Sequence, residues 1–203
     1  MPESIESRVI SRVYGKGRGW SFSRIDFSDL GSVEAIDQSL SRLAKAGRIR
    51  RLLRGLYDFP QYSSFLEKEL SPDMHQVARA IARKFGWNIQ VSENTALNIL
   101  GLSTQVPTRY VYQSDGRSHT YKVSNQELVF VKARLKDTGF KHEKSALLVQ
   151  ALRGIGQDKV SESERKIIRA YFDTTDQKHI LRDARYVTSW VYEEIKQIFK
   201  DES

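Results

Sequence analysis

The stretch SVEAIDQSLSRLAKAGRIRRLLRGLYDFP, residues 32–60, decides how the N-terminal part of this chain folds. Ser32 can cap a helix that runs to Gly47, with Glu34 and Asp37 near its positive end and Lys45 near its negative end, as the helix dipole prefers. Val33, Ile36, Leu40, Leu43 and Ala44 fall on one side of that helix, and Glu34, Ala35, Gln38, Ser41, Arg42 and Lys45 on the other. One face packs and the other is free to touch something. Beyond Gly47, residues 49–53 and 56–59 are short apolar-aromatic runs around Arg54-Gly55, the pattern of a two-stranded hairpin, and Pro60 closes it.

Working outward toward the N-terminus, Ile5, Val9 and Val13 recur at helical spacing, which predicts a first helix ending at Gly15. Gly15-Lys16-Gly17-Arg18-Gly19 follows as a flexible connector, and Trp20 with Phe22 makes a short strand. Ser23-Arg24-Ile25-Asp26 has the spacing of a capping box, predicting a brief helix from Ile25 to Leu30. Helix, short strand, helix, helix, hairpin is the order of a winged helix-turn-helix, so residues 1–60 are expected to form a DNA-binding domain.

Residues 61–70 are expected to be a helical connector and residues 71–203 an α+β domain, which makes the fold class α+β. Ser71 as cap, with Pro72 at the first helical position, predicts a helix to Gly86. A strand over 87–91 and a short helix over 94–100 come next. Residues 109–113, 119–123 and 128–133 then read as an antiparallel meander with a turn at Asp115-Gly116. Three helices are expected to close the chain: one over 145–153, one boxed by Ser161 and Glu164 and running to Phe172, and one lined by Ala184, Val187, Val191, Ile195 and Ile198.

Among 203 residues, 33 Lys and Arg stand against 25 Asp and Glu, a formal charge of +8, so partners carrying negative charge are favoured and nucleic acid comes first. The absence of cysteine excludes disulfides, thiolate zinc sites and a cysteine nucleophile. No apolar run approaches the roughly 20 residues that cross a bilayer, and the N-terminus lacks the basic start and apolar stretch of a secretion signal. A cytoplasmic protein without a membrane partner is expected.

The charge is concentrated. Arg42, Lys45, Arg48, Arg50, Arg51 and Arg54 lie within residues 42–54 without one acid, where the chain average would place about two cations. A charge run is usually a solvated face, but this one falls on the outer side of a helix and on the hairpin behind it, the elements that meet the major groove and flanking backbone in winged helices. Gln38 and Arg42, one turn apart, can form paired hydrogen bonds to adenine and guanine edges, with Ser32, Glu34 and Ser41 assisting. Arg50, Arg51 and Arg54, with Lys16 and Arg18 of the glycine connector, would hold phosphates and set register, and Lys45 extends the same face. Asp37 is expected to pair with a nearby arginine. One winged helix covers few base pairs, so the expected partner is double-stranded operator DNA, bound by two copies on an inverted repeat or equally by a monomer binding cooperatively.

No catalytic residue, metal site or cofactor emerges. The glycine connector lacks the Gly-Lys-Ser/Thr ending of a phosphate loop, and His75, His119, His142 and His179 lack paired i, i+4 spacing. Asp115, Glu127 and Lys132 could supply the two carboxylates and a lysine of a metal-dependent nuclease, the alternative function, although Asp115 is accounted for as the turn residue before Gly116. No serine sits in a Gly-x-Ser-x-Gly elbow, and Trp20, Trp87 and Trp190 read as core anchors within apolar patterns.

The run Gly19-Trp20-Ser21-Phe22-Ser23, Asp26-Phe27, then Ala35 through Leu43, Gly47-Arg48-Ile49-Arg50-Arg51 and Arg54-Gly55-Leu56-Tyr57-Asp58-Phe59-Pro60 resembles the AbiEi-type antitoxin family. A second stretch, Asn94 through Pro107 continuing to Tyr110-Val111-Tyr112, resembles that family's C-terminal domain. The resemblance implies a transcriptional autorepressor and antitoxin of a type IV toxin-antitoxin system in phage defence or plasmid maintenance. Its functional partner would be a nucleotidyltransferase-like toxin that need not form a stable complex with it. From about Asp173 onward no motif matches.

Overall fold

The computed structural model describes residues 4–103, 107–133, 140 and 142–200. Eight α-helices and nine strands among these residues make a mixed α+β fold. The chain divides into two compact units, Met1–Asn88 with Thr120–Leu128, and Ile89–His119 with Val129–Ser203. The first unit therefore extends well past the boundary expected at Pro60.

In the first unit, Ser4 caps α1 (Ile5–Lys16) by accepting the Ser7 N–H at 3.1 Å, and Val9 and Val13 are buried. The helix outlasts Gly15 and ends at Gly17, whose φ of 86° lies in a region glycine enters without steric cost. After β1 (Ser21–Phe22) the chain makes a 3₁₀ turn, Arg24–Phe27, shorter and tighter than the helix expected there. The Asp26 carboxylate accepts the Ser23 N–H at 2.9 Å and so closes that turn. In α2 (Val33–Lys45) the cap is as expected, with Ser32 Oγ accepting the Ala35 N–H at 3.3 Å. Ile36, Leu40 and Leu43 bury their side chains with Val9, Val13, Phe22, Phe27, Ile49 and Tyr57. Val33 is instead half exposed, and Ser39 takes a buried position by donating its hydroxyl to the Ala35 carbonyl at 2.8 Å.

β2 (Arg50–Leu53) and β3 (Leu56–Asp58) form the expected hairpin, and β1 adds to it antiparallel, giving the order β1-β3-β2. Phe22 and Phe27 meet edge-on at 5.5 Å beneath this sheet. Each such buried aromatic removes enough apolar surface from water to stabilise the unit by ~1.5–3 kcal/mol.

Residues 61–70 are not helical. They form a small hairpin of β4 (Tyr62–Ser63) and β5 (Lys68–Glu69), closed where the Leu70 N–H donates to the Gln61 carbonyl at 2.8 Å. A helix this short is marginal unless it buries an apolar face, and here Phe65 is 92% exposed. α3 (Met74–Phe85) is capped by Asp73, whose carboxylate accepts the N–H groups of His75 and Gln76, so Ser71 and Pro72 precede the cap. Val77, Ala78 and Ile81 are buried, and α3 packs on β1, the 3₁₀ turn and β3.

The second part begins with β6 (Ile89–Val91), α4 (Glu93–Ile99) and β7 (Arg109–Ser114). Thr104, Gln105 and Val106 of the family-like stretch lie outside the described residues. β8 (His119–Val123) and β9 (Gln126–Lys132) complete a four-stranded sheet of order β6-β7-β9-β8, which is not the sequential order of a meander. Burial explains the exchange: β9 carries buried Leu128, Val129 and Phe130 and takes an inner place, whereas β8 buries only Val123 and lies at the edge.

Four helices close the chain instead of three: α5 (Glu143–Ile155), α6 (Glu162–Tyr171), α7 (Thr174–Asp183) and α8 (Ser189–Ile198). α7 buries only Ile180 and so has no apolar periodicity to betray it, although Asp173 caps it by accepting the Asp176 N–H at 2.8 Å. The last helix starts after Thr188, with Ala184 left in a preceding 3₁₀ turn. Arg165 on α6 bonds both Glu194 oxygens on α8, at 2.7 and 3.2 Å, and its guanidinium is held above its ordinary value by that carboxylate.

Candidate functional site

α2 turns Glu34, Gln38, Arg42 and Lys45 to solvent, with Ser41 half-buried at the edge of the same face. Arg42 lies 3.9 Å from Glu6, a loose pair between two exposed groups and worth little, so its guanidinium can exchange that contact for another. Ser32 is engaged as the cap. Asp37 pairs with Arg24 of the 3₁₀ turn at 3.1 Å, on the exposed side of the helix.

The hairpin sorts its arginines by strand alternation. Arg50 stands opposite Asp58 and binds it with two bonds, Nε to Oδ1 at 3.0 Å and Nη2 to Oδ2 at 2.6 Å, while Nη1 donates to the Leu70 carbonyl at 2.9 Å. Arg50 is thus a structural clamp and not the phosphate contact expected of it, because its fork is already filled. Asp58 is 1% exposed, and burial pushes its carboxyl above the usual carboxylate range against the opposing pull of Arg50. The neighbouring Arg51 is exposed, as is Arg54 at the turn.

In the glycine connector, Arg18 is pinned: Nη1 donates to the Pro60 carbonyl at 2.9 Å and the guanidinium lies 4.7 Å from the centre of the Phe59 ring. Lys16, the last residue of α1, is exposed. Arg48 donates to the Tyr14 hydroxyl from Nε at 2.8 Å and Nη2 at 2.5 Å.

One cation was hidden from sequence reasoning. Lys84 on α3 donates to the Arg54 carbonyl at 3.1 Å, which brings it to the hairpin turn from thirty residues away. Burial, then the positive charges of Arg24 and Arg54, hold its ammonium below the ordinary lysine value, with Asp37 opposing. The Lys84 ammonium thus lies beside the hairpin turn, within electrostatic reach of Arg54 and of an Arg24 that Asp37 answers at 3.1 Å, and a bound anion would favour its charged form.

Asp115 follows β7, and Glu127 and Lys132 lie on β9. Among the described residues no group of three or more histidine, aspartate or glutamate side chains could hold a metal ion. His142 and His179, far apart in sequence, meet with ring centres 4.0 Å apart and planes tilted by 40°. Trp20, Trp87 and Trp190 are each only half-buried rather than full core anchors. No described helix is long and apolar enough to cross a membrane.

A family described as being of unknown function, DUF6088, matches residues 8–180. The chain is similar to the crystal structure of RV2827C protein from Mycobacterium tuberculosis, at 15% identity and a TM-score of 0.39, over 96% of this chain and 75% of that one. No curated protein matches it.

Proposed function

The chain belongs to that DUF6088 family, and we propose that it is a DNA-binding autorepressor and antitoxin whose residues 1–60 act as a winged helix-turn-helix. The observation that carries the DNA-binding half is the cation surface of the first unit. Gln38, Arg42 and Lys45 are exposed on α2, Arg51 and Arg54 on the hairpin, and Lys84 reaches its turn through the Arg54 carbonyl. In this reading Gln38 and Arg42 meet base edges in the major groove, and Arg51, Arg54, Lys84 and Lys16 hold phosphates. Arg50 acts indirectly by fixing the hairpin that presents Arg51.

The operator is an inverted repeat bound by two copies in the cytoplasm. The antitoxin half rests on the resemblance to the AbiEi-type family, which supplies a nucleotidyltransferase-like toxin as the functional partner.

A gel-shift titration of the full chain against its own upstream region and a scrambled duplex tests the repressor. The expected preference is about a thousandfold or more at physiological salt, and equal affinity for both duplexes refutes sequence-specific repression. Co-expression with a neighbouring nucleotidyltransferase-like reading frame tests the antitoxin. Growth should be rescued by the full chain, and growth arrest that the chain leaves unrelieved removes that half.

A further inference from the structure

We propose that a cleft in the first unit, walled by the end of α1, by Trp20 and by α3, binds a nucleoside phosphate. The cleft has a volume of about 540 Å³, within the ~300–1,000 Å³ of ordinary ligand pockets. Arg12, Lys16, Arg79 and Arg83 line it with one lining carboxylate, Asp26, and Asp29 binds Arg12 from outside the lining, so four cations stand against two carboxylates and the remaining charge favours an anion.

Two of the arginines are held in place by the protein itself. Arg83 donates from Nε to Asp26 Oδ1 at 2.7 Å and from Nη2 to the Ser21 carbonyl at 2.9 Å. Arg12 donates to the Asp26 carbonyl at 2.9 Å and to both Asp29 oxygens, at 2.6 and 2.7 Å. These bonds leave the two Nη1 N–H donors of Arg83 for a ligand. Asp26 meanwhile has both oxygens engaged, by Arg83 and by the Ser23 N–H, so its charge is already answered and does not repel an incoming phosphate. Lys16 adds a cation for which the described residues supply no ion pair. Preorganised donors around an open volume are what phosphate recognition requires, because little ordering remains to be done when the anion arrives.

The indole of Trp20 in the same lining argues for a planar ring on that phosphate. Trp20 is packed at 4.8 Å on Phe22 and edge-on at 5.9 Å to Phe27, which fixes the indole while its remaining surface lines the cleft. A fixed aromatic face stacks a nucleobase without regard to its identity. The Gln76 side chain on α3 also lines the cleft and can offer a donor and an acceptor to a base edge. Trp20, Lys16 and Gln76 belong to three separate segments, so this constellation exists only in the folded unit. α2 and the β2–β3 hairpin contribute nothing to its lining, and Lys16 is the one lining residue it shares with the proposed duplex contacts.

A nucleoside phosphate can come from a free nucleotide or from the 5′-phosphorylated end of a strand. Calorimetric titration of the full chain with AMP, GMP, CMP and UMP, with inorganic phosphate, and with short single strands carrying or lacking a 5′-phosphate separates these sources. At least one mononucleotide or phosphorylated end should bind with Kd between about 10 µM and 1 mM, at least about tenfold tighter than inorganic phosphate. Binding should quench tryptophan fluorescence, and Trp20→Phe should lose most of that quench. Lys16→Glu and Gln76→Ala, at positions that hold no structural bond through their side chains, should each weaken binding about tenfold with unchanged thermal unfolding. Arg51→Ala, which removes a proposed duplex contact, should leave nucleotide binding intact, so failure of either reading is seen separately. No heat with any nucleotide or phosphorylated end up to about 10 mM, binding no tighter than that of inorganic phosphate, or wild-type binding by Lys16→Glu overturns the proposal.

Discussion

Replacing Arg50 with alanine should unfold the first unit far more readily than replacing its neighbour Arg51. Arg50 makes two bonds to the buried Asp58 carboxylate and a third to the Leu70 carbonyl, and its side chain is 28% exposed. Removing one partner of a buried pair leaves the other charge without compensation, at a cost of ~3–5 kcal/mol. Partial exposure of Arg50 argues for the lower end, about 3 kcal/mol.

The pH dependence supplies a second signature. Burial already raises the Asp58 carboxyl above its ordinary value of 3.8, and in Arg50→Ala the guanidinium that opposes this shift is gone. Between 3.8 and the raised value the folded chain binds more protons than the unfolded chain, so stability falls as pH rises through that window. The deficit of Arg50→Ala should therefore be larger at neutral pH than in mild acid. Urea unfolding followed by circular dichroism at both pH values reads the difference, with Arg51→Ala expected within about 0.5 kcal/mol of wild type. Equal midpoints for the two variants, or a deficit that does not change with pH, would refute the clamp and return Arg50 to the solvent-facing cations.

Further outcomes concern charge at the proposed interface. Arg54→Ala should weaken binding to all duplexes alike and reduce the salt slope by about one, while Arg42→Ala should relax discrimination by ~1–3 kcal/mol at one base pair. Gel shifts over a salt series distinguish the two, and identical losses on every sequence would contradict the division of roles. Lys84 is held below the ordinary lysine value by burial, Arg24 and Arg54, and bound phosphates would raise it again. Duplex binding should accordingly take up a proton and weaken as pH rises through the depressed value, an effect absent in Lys84→Gln. The Asp29 carboxyl beside Arg12 is lowered to about 2. Its contribution to stability is present above 3.8 and is lost as pH falls through about 2, and carboxyl-detected NMR titration should return that low value in wild type but not in Arg12→Gln.

The helices with a strong apolar period were legible in the chain because burial of one face writes itself into spacing. α1, α2 and the hairpin of β2 and β3 stand where Val9, Val13, Ile36, Leu40 and Leu43 and the Arg54-Gly55 turn put them. α7 leaves no apolar spacing to read because Ile180 alone is buried there, and the hairpin after Pro60 leaves none because Tyr62, Phe65 and Leu66 stay largely exposed. The candidate surface was legible as a density of cations, but not as a division of labour. Nothing in the order Arg50-Arg51 says which arginine turns inward. That depends on Asp58, which lies across the hairpin.

Local patterning by itself determined an α+β chain, a basic N-terminal unit and the caps at Ser32 and Ser161, since these depend on contacts within a few residues. Tertiary structure alone decided four things: that β9 takes an inner place in its sheet, that Arg50 is a clamp, that Lys84 joins the hairpin turn, and that Lys16, Trp20 and Gln76 share one cleft. The reason is physical. Burial and charge compensation are set by whichever distant segments pack together, and a side chain's partners across thirty or sixty residues leave no periodic trace in the sequence around it.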